Sequence, residues 1–238
     1  MKVEIWSDYV CPFCYIGKKK FEMALEKFAH HNEIETVYKS FELDPTADPN
    51  TEIDTYTMLS KKYGMSVEQA KANSASIAEQ AAAVGLTFRF DGTVMTNTFD
   101  GHRLMHYADE QGKGHEMANL LFKSYFTDGI NIGKRSELTA IAAQLGFDKE
   151  AVAAMLDSDQ YKEAVRGEEE EGSRLGIRGV PFFVIDRKYA VSGAQSPEVF
   201  LNALQQAWNE KHPTFVQIDG EDGTACSDGV CAPRNPNN

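Results

Sequence analysis

The feature that most constrains this chain is a cysteine pair, Cys11 and Cys14, separated by Pro-Phe near the N-terminus. Before the pair, residues 3–6 alternate apolar and polar side chains, which predicts a strand. After it, apolar or small residues recur at helical spacing, at Gly17, Phe21, Ala24, Leu25 and Phe28. The pair therefore lies at a strand–helix junction, with Cys11 at the start of the helix.

A cysteine at a helix start is suited to disulfide exchange. Free backbone N–H groups and the positive end of the helix dipole favour a thiolate there, and a thiolate is the nucleophile in exchange. Cys14 follows one turn later and can reach the same sulfur. We therefore predict that Cys11 is the nucleophile and the more exposed thiol, and that Cys14 resolves the mixed disulfide.

Other roles for these cysteines stay open. The chain has only Cys11, Cys14, Cys226 and Cys231, so an all-cysteine zinc site would use every one. Zinc knuckles usually sit on turns, not at the head of a long amphipathic helix, and a structural disulfide closing so small a loop constrains the unfolded chain little. Redox chemistry is favoured, and we expect no metal and no cofactor.

Composition narrows the partners and the compartment. The net charge of -12 argues against nucleic acid and anionic membranes, since both select basic patches. No apolar run approaches the ~20 residues of a spanning helix. Met1-Lys2 leads straight into the first strand, which leaves no room for a secretory signal. These features predict a cytoplasmic protein, where a C-x-x-C beside a β-α-β pattern indicates redox chemistry.

The order of predicted elements is βαβ, a helical block, a β-hairpin and a helix. Residues 33–43 predict a second strand, parallel to the first, and residues 51–157 are mostly helical, with an extended stretch at 86–96. Residues 181–185 and 189–191 predict a hairpin, and Ser196-Pro197 begins the last helix.

This layout resembles the thioredoxin fold with an all-helical insertion, an α/β fold, as in DsbA-like thiol–disulfide oxidoreductases. Three stretches carry the resemblance: SDYVCPFCYIG at 7–17, NTFDGHRL at 97–104 and GIRGVPFFVID at 176–186. The CSDGVC stretch in the tail is most similar to the cytosolic FrnE-type branch. The implied thioredoxin-like domain has two parts, residues 1–43 and 158–212. The helical insertion between them spans 44–157, and a tail spans 213–238.

The resemblance implies roles for individual residues. Pro181 is expected to be cis and to face Cys11, leaving the Val180 backbone free to pair with an extended substrate. Apolar side chains also crowd the motif, namely Trp6, Tyr9, Phe13 and Tyr15. They predict a platform for unfolded substrates, with some of them belonging to the core. The catalytic candidates are Cys11, Cys14 and Pro181, and the substrate-binding candidates are Val180, Trp6, Phe13 and Asn97; Asn97 also fits a helix cap.

Polar residues near the motif have weaker signals. Asp8 and Glu42 lie near strand ends and could move a proton for Cys14, although the sequence favours exposed carboxylates. His102 and His106 share a helix face without a third metal ligand, which favours surface or hydrogen-bonding roles. The four glutamates at 168–171 predict a solvated acidic helix face.

The tail contains a second predicted cysteine pair. Asp228-Gly229 is a strong turn signal, which predicts a hairpin with Cys226 opposite Cys231 and Ser227 opposite Val230. Closing so short a loop would stabilise the fold by only about 2 kcal/mol, so we favour an auxiliary redox pair that exchanges with Cys11 and Cys14 over a hairpin staple.

The predicted function is a thiol–disulfide oxidoreductase or isomerase acting on protein or peptide disulfides, with glutathione as a further partner. One alternative is a glutathione-dependent isomerase or transferase, resembling 2-hydroxychromene-2-carboxylate isomerases and kappa-class glutathione transferases. Those relatives generally carry serine where Cys11 stands, which argues against it. A second alternative is a non-catalytic zinc or redox-sensing binding protein.

Overall fold

The computed structural model describes residues 1–213 and the backbone of Cys226–Ser227 and Val230–Cys231. The strands in chain order are β1 Lys2–Ser7, β2 Glu35–Ser40, β3 Phe182–Ile185, β4 Tyr189–Ser192, β5 Cys226–Ser227 and β6 Val230–Cys231. The helices are α1 Pro12–Lys27, α2 Thr55–Tyr63, α3 Val67–Ala82, α4 Phe99–Asp109, α5 Gly114–Phe126, α6 Arg135–Gln144, α7 Lys149–Asp157, α8 Lys162–Arg174 and α9 Pro197–Lys211.

A four-stranded mixed sheet in the order β2-β1-β3-β4 organises the fold. β1 and β2 are parallel, whereas β3 runs antiparallel to both β1 and β4. This arrangement confirms the predicted thioredoxin fold. β2 ends earlier than the sequence predicts, because the chain beyond Ser40 leaves the ladder and the Leu43 N–H donates to the Asp8 carboxylate instead.

The β3–β4 hairpin turns through two non-glycine residues with positive φ, Asp186 at 45° and Arg187 at 57°. Two left-handed residues in succession match the right-handed twist of the strands. The Asp186 carboxylate accepts a hydrogen bond from the Lys2 N–H at 2.6 Å, and the Arg187 guanidinium pairs with the buried Glu4. These contacts hold the turn in a conformation that ordinarily favours glycine.

Helices cover both faces of the sheet. α1 and α9 pack together on one face, while α8 packs against β2 on the other. Trp6 is fully buried under α8, and its Nε1 donates to the Glu168 carbonyl at 3.0 Å. A Cβ at Gly172 would lie 2.9 Å from that nitrogen, so this glycine lets α8 approach the sheet. The prediction that Trp6 binds substrate is therefore wrong, because α8 covers it.

The insertion is helical from α2 to α7, as the sequence predicts. Within the expected extended stretch, only an isolated bridge from Val94 to Asp54 forms. Arg103 is completely buried and ties α4 to the last turn of α7 and the loop after it; its guanidinium donates to the carbonyls of Met155, Leu156, Ser158 and Gln160. One hydrophobic core includes side chains from the thioredoxin part and from the insertion, so the domain boundaries stay predictions.

The tail strands β5 and β6 pair antiparallel, with Cys226 opposite Cys231 and Ser227 opposite Val230, which is the predicted register. The side chains of these residues lie outside the described part of the structure. A disulfide between the two cysteines, and a zinc site that would use them, therefore stay untested. Within the described residues, no helix is long and apolar enough to cross a membrane.

Candidate active site

Cys11 is the N-cap residue of α1, and Pro12 occupies the first turn. Both motif cysteines are free thiols. The Cys11 Sγ donates to the Val180 carbonyl at 3.7 Å, while the Cys14 Sγ accepts from the Asp8 N–H at 3.5 Å. Cys11 is 4% exposed and Cys14 is 1% exposed, so Cys11 is the more exposed thiol, as predicted, by a small margin. Only Cys11 of the two lines the adjoining surface cavity.

The peptide bond between Val180 and Pro181 is cis, as the resemblance implied. Gly17 makes room for this loop, since a Cβ there would lie 2.9 Å from the Pro181 Cγ. The loop sets the Val180 carbonyl beside the Cys11 sulfur. Val180 and Pro181 thus lie where the predicted substrate contacts require, and their roles in exchange stay a proposal.

A cavity of about 380 Å³ adjoins Cys11 between the motif and the helical insertion. Phe13, a predicted substrate-binding residue, lines it and is 40% exposed. The insertion contributes Leu59, Tyr63 and Met65, which sequence reasoning missed. Leu59 and Tyr63 lie on the short helix α2 and Met65 follows it, so their only signal is an apolar or aromatic side chain in a mostly polar stretch. This signal does not reveal that the segment folds over Cys11.

The surroundings of Cys14 are polar and buried. Asp8 is 1% exposed, and its Oδ2 accepts a hydrogen bond from the Leu43 N–H at 2.7 Å. Its Oδ1 lies 3.8 Å from Nε2 of the buried His102, which also lies 3.1 Å from the Phe41 carbonyl. The expectation of an exposed Asp8 is wrong, because the segment after β2 folds over this carboxylate.

These contacts set the protonation of the site. Burial raises the pKa of Cys14 well above its ordinary value, and the adjacent Cys11 raises it further; the hydrogen bond from the Asp8 N–H lowers it in part, while the Asp8 charge raises it. The neutral thiol is therefore the resting form of Cys14 at neutral pH. Burial alone lowers the pKa of His102, but the hydrogen bond and charge of Asp8, aided by Glu42, raise it above the ordinary value.

Glu42 is a second buried carboxylate, where the sequence favoured an exposed one. Its side chain is fully covered, pairs with Arg166 at 2.5 Å and accepts from the Asn97 amide at 3.0 Å. Burial raises the pKa of Glu42, and Arg166 offsets this in part. The Asn97 Oδ1 also accepts from the Phe99 N–H at the start of α4. Asn97 does not line the cavity beside Cys11, and its substrate-binding role stays a prediction.

His102 and His106 have different partners rather than a shared metal. His106 Nε2 lies 3.1 Å from a Glu168 carboxylate oxygen, which also accepts from the Ser40 N–H and hydroxyl. Burial raises the pKa of Glu168, yet His106, Ser40 and Lys39 lower it to about 2. The prediction of a solvated face is wrong for this residue. Within the described part of the chain, no three metal-ligating side chains lie together.

Comparison with known proteins agrees with this geometry. The DSBA-like thioredoxin domain family matches residues 2–205. A probable DsbA oxidoreductase from Streptomyces coelicolor is 43% identical, with a TM-score of 0.85, over 99% of this chain and 100% of its own. YwbO, an uncharacterized Bacillus subtilis protein, is 29% identical over 88% of this chain and 98% of its own.

The cytosolic disulfide reductase DsbM from Pseudomonas aeruginosa, also solved with GSH, shares the fold. It is 17% identical, with a TM-score of 0.61, over 88% of this chain and 100% of its own. These comparisons do not separate the branches of the family, so the FrnE-type resemblance stays a prediction. Because the family match covers residues 2–205, most of this chain, the chain belongs to the DSBA-like thioredoxin domain family of thiol–disulfide oxidoreductases.

Proposed function

We propose that this protein exchanges disulfides with protein or peptide substrates, with Cys11 as the nucleophile and Cys14 as the resolving thiol. The observation that carries the proposal is the asymmetry of the pair. The Cys11 sulfur lies on the wall of a surface cavity and beside the Val180 carbonyl, whereas Cys14 is sealed behind it. A substrate sulfur can therefore approach Cys11 first.

Reduction of a substrate then proceeds in two balanced steps. The Cys11 thiolate attacks one sulfur of the substrate disulfide, a mixed disulfide forms, and the other substrate sulfur leaves as a thiolate. Cys14 next loses its proton and attacks the Cys11 sulfur, which forms the Cys11–Cys14 disulfide and releases the second substrate thiolate. The reverse sequence oxidises a dithiol substrate, and in either direction two electrons move.

A trapping experiment tests the two roles. Cys14→Ser removes the resolving thiol, so mixed disulfides between Cys11 and a disulfide peptide should accumulate and appear on non-reducing gels and in mass spectra. Cys11→Ser should trap nothing and should abolish insulin reduction. Trapping by Cys11→Ser and not by Cys14→Ser would reverse the roles, and unchanged insulin reduction in Cys11→Ser would refute the proposal.

A cytoplasmic location and glutathione as a partner belong to the same proposal. Their support is the name of DsbM and its structure with GSH. The free cysteine pair supports exchange over the isomerase and transferase alternative, because the resolving step needs both thiols. Two molecules of reduced glutathione should reduce the Cys11–Cys14 disulfide back to the dithiol during turnover and form glutathione disulfide, which a coupled NADPH assay with glutathione reductase would measure.

The tail cysteines are proposed as an auxiliary redox pair. Their support is the β5–β6 register, which sets Cys226 opposite Cys231. The test is the double variant Cys226→Ser, Cys231→Ser. A shift in the reduction rate or in the Cys11–Cys14 potential is expected, and unchanged rates and potential would leave the tail without a catalytic role.

A further inference from the structure

A second cavity, of about 550 Å³, lies between residues 49–50 and the starts of α4, α6 and α8, and its lining residues are all distinct from those of the cavity beside Cys11. Its charge is opposite to that of the chain. Asp and Glu outnumber Lys and Arg by 36 to 24 overall, yet three cationic side chains and one carboxylate line this cavity. The cations are Lys134, Arg135 and Lys162, and the carboxylate is Asp100. Three positive charges less one negative charge leave two positive charges on the walls.

The Asp100 carboxylate is already shared between two cations. Its Oδ1 accepts from the buried Arg103 at 2.6 Å, and its Oδ2 accepts from Arg135 at 2.7 Å. The other hydrogen bonds of Arg103 go to backbone carbonyls, which have no net charge. One negative charge therefore lies between two guanidinium groups, and it cannot neutralise the lysines as well.

The remaining carboxylate partners lie outside the cavity. Arg135 also pairs with Asp157 at 3.1 Å and Lys162 pairs with Asp159, but these carboxylates are 75% and 90% exposed. Water screens ion pairs of this kind, so they weaken the positive charge of the walls only slightly. Among the residues that the structure describes, Lys134 pairs with no carboxylate. The walls thus keep an uncompensated positive charge.

Uncharged donors lie at the same walls. Asn50 contributes a side-chain amide and Ser136 a hydroxyl. α6 begins here, and the side chain of its N-cap residue, Lys134, makes no capping hydrogen bond. The first N–H groups of a helix have no intrahelical acceptor. Cationic side chains together with such N–H groups are the donors that bind phosphate oxygens in proteins.

We propose that this cavity binds a small phosphate monoester, whose phosphate contacts Lys134, Lys162 and the first turn of α6. A carboxylate brings one negative charge, whereas a phosphate monoester at neutral pH brings about 1.5–2 and has three acceptor oxygens. The phosphate therefore matches the two positive charges and the several donors of the walls. A volume of about 550 Å³ lies within the range of about 300–1,000 Å³ typical of ligand pockets, which leaves room for the organic group of the ester.

The surroundings favour a small solute over a nucleic acid. Asp157 and Asp159 lie exposed beside the cations, and the chain has a net charge of -12. An extended polyanion would meet these negative charges, since nucleic acids select broad basic surfaces. A solute within the cavity contacts the cationic walls and leaves both carboxylates in water. The site is separate from disulfide exchange, and the inference does not depend on the proposed function.

Calorimetric titration of the full-length protein tests the site. The titrant is glycerol 3-phosphate at about pH 8, where its phosphate is a dianion, and the comparison solutes are inorganic phosphate, acetate and glycerol. We expect a Kd of about 1 mM or tighter for the ester, at least about tenfold weaker binding of acetate, and no saturable binding of glycerol. Added salt should weaken the binding of the ester. Absence of saturable ester binding, acetate as tight as the ester, or inorganic phosphate tighter than the ester would overturn the proposal.

Two lysines at helix starts locate the binding. Lys134→Gln and Lys149→Gln remove the same charge, but Lys149, at the start of α7, does not line the cavity. Lys134→Gln should weaken ester binding about tenfold, since it removes a hydrogen bond to a charged group, and Lys149→Gln should change it by less than about twofold. Unchanged binding in folded Lys134→Gln, or equal losses in the two variants, would contradict the proposal. Lys162→Gln, with the same expected loss, replaces Lys134→Gln if the latter does not fold.

A phospholipid headgroup offers the same phosphate chemistry, and a second arm of the experiment separates the two sources. The protein is sedimented with phosphatidylcholine vesicles that contain phosphatidic acid, whose headgroup is a phosphate monoester. We expect the protein to stay in the supernatant, because its net charge of -12 opposes an anionic surface. Sedimentation with these vesicles that Lys134→Gln abolishes would assign the cavity to a lipid and overturn the proposal of a small solute.

Discussion

The two sulfurs of one short motif have opposite surroundings. Cys11 lies against an uncharged, mostly apolar cavity, whereas Cys14 lies beside Asp8, whose buried carboxylate is 3.8 Å from His102. Apolar walls discriminate by shape and by desolvation, while buried charges control protonation. The difference teaches that an uncharged cavity and a buried carboxylate lie within a single helical turn of each other. Substitutions on the two sides should therefore change different observables.

The largest effect is expected on the Cys14 side. Asp8→Ala leaves the Leu43 N–H without its acceptor and His102 without its carboxylate, so the free energy of unfolding should fall by about 3–5 kcal/mol. Asp8→Asn is the control, because its amide oxygen still accepts from Leu43, and it should lose less. Both variants should lower the pKa of Cys14, since each removes the Asp8 charge that raises it and keeps the backbone N–H whose hydrogen bond lowers it. Urea denaturation measures the first effect, and a loss below about 1 kcal/mol in Asp8→Ala would contradict it.

A matched glycine pair compares the active-site face of the sheet with the α8 face. The Cβ of Gly17→Ala would lie 2.9 Å from Pro181, and that of Gly172→Ala would lie 2.9 Å from Trp6. Each should cost about 1–3 kcal/mol as overpacking. Only Gly17→Ala should also slow disulfide exchange, because it displaces the Val180 carbonyl from Cys11. Equal exchange rates in the two variants, measured with insulin, would show that the loop tolerates the added methyl.

The charge of His102 predicts a pH dependence. Because its folded pKa is raised, the stability that it contributes is fully present below the ordinary value of 6.5 and is lost as the pH rises through the folded value. Each unit of elevation corresponds to about 1.4 kcal/mol. His102→Gln can still donate to the Phe41 carbonyl but cannot titrate. Between pH 5 and 9, the free energy of unfolding should therefore fall less steeply above pH 6.5 for the variant than for the wild type. Parallel pH dependences in the two proteins would exclude the charged form of His102.

The smallest effect on stability is expected on the cavity side. Tyr63 is 62% exposed, so Tyr63→Ala should change the free energy of unfolding by no more than about 0.5 kcal/mol. It should nevertheless lower kcat/KM for a disulfide peptide several-fold, because it removes part of the lining of the cavity beside Cys11. Tyr56→Ala on the same helix is the control, since Tyr56 does not line the cavity. A large loss of stability in Tyr63→Ala would remove the contrast between the two sides.

Short-range sequence patterns predicted most of the strands, helices and turns around the site. The Cys-Pro-Phe-Cys pair at the start of α1, the β3–β4 hairpin and the paired tail strands depend on periodicity, turn chemistry and caps within a few residues. The cis bond before Pro181 followed from a family resemblance rather than from these signals. Burial escaped local reasoning: Asp8 and Glu42 were expected at the surface, and Trp6 was expected at the substrate.

The sequence by itself determined the order of strands and helices and the place of the cysteine pair at the start of α1, because strand, helix and turn preferences act between neighbours along the chain. Only the tertiary structure decided which polar groups are buried and what surrounds each sulfur. Asp8 meets the Leu43 N–H across 35 positions, Glu42 meets Arg166 across 124, and Trp6 meets the Glu168 carbonyl across 162. The insertion helices likewise close the cavity from a distant part of the sequence. Burial and solvent exclusion depend on such long-range packing, which short-range preferences do not specify.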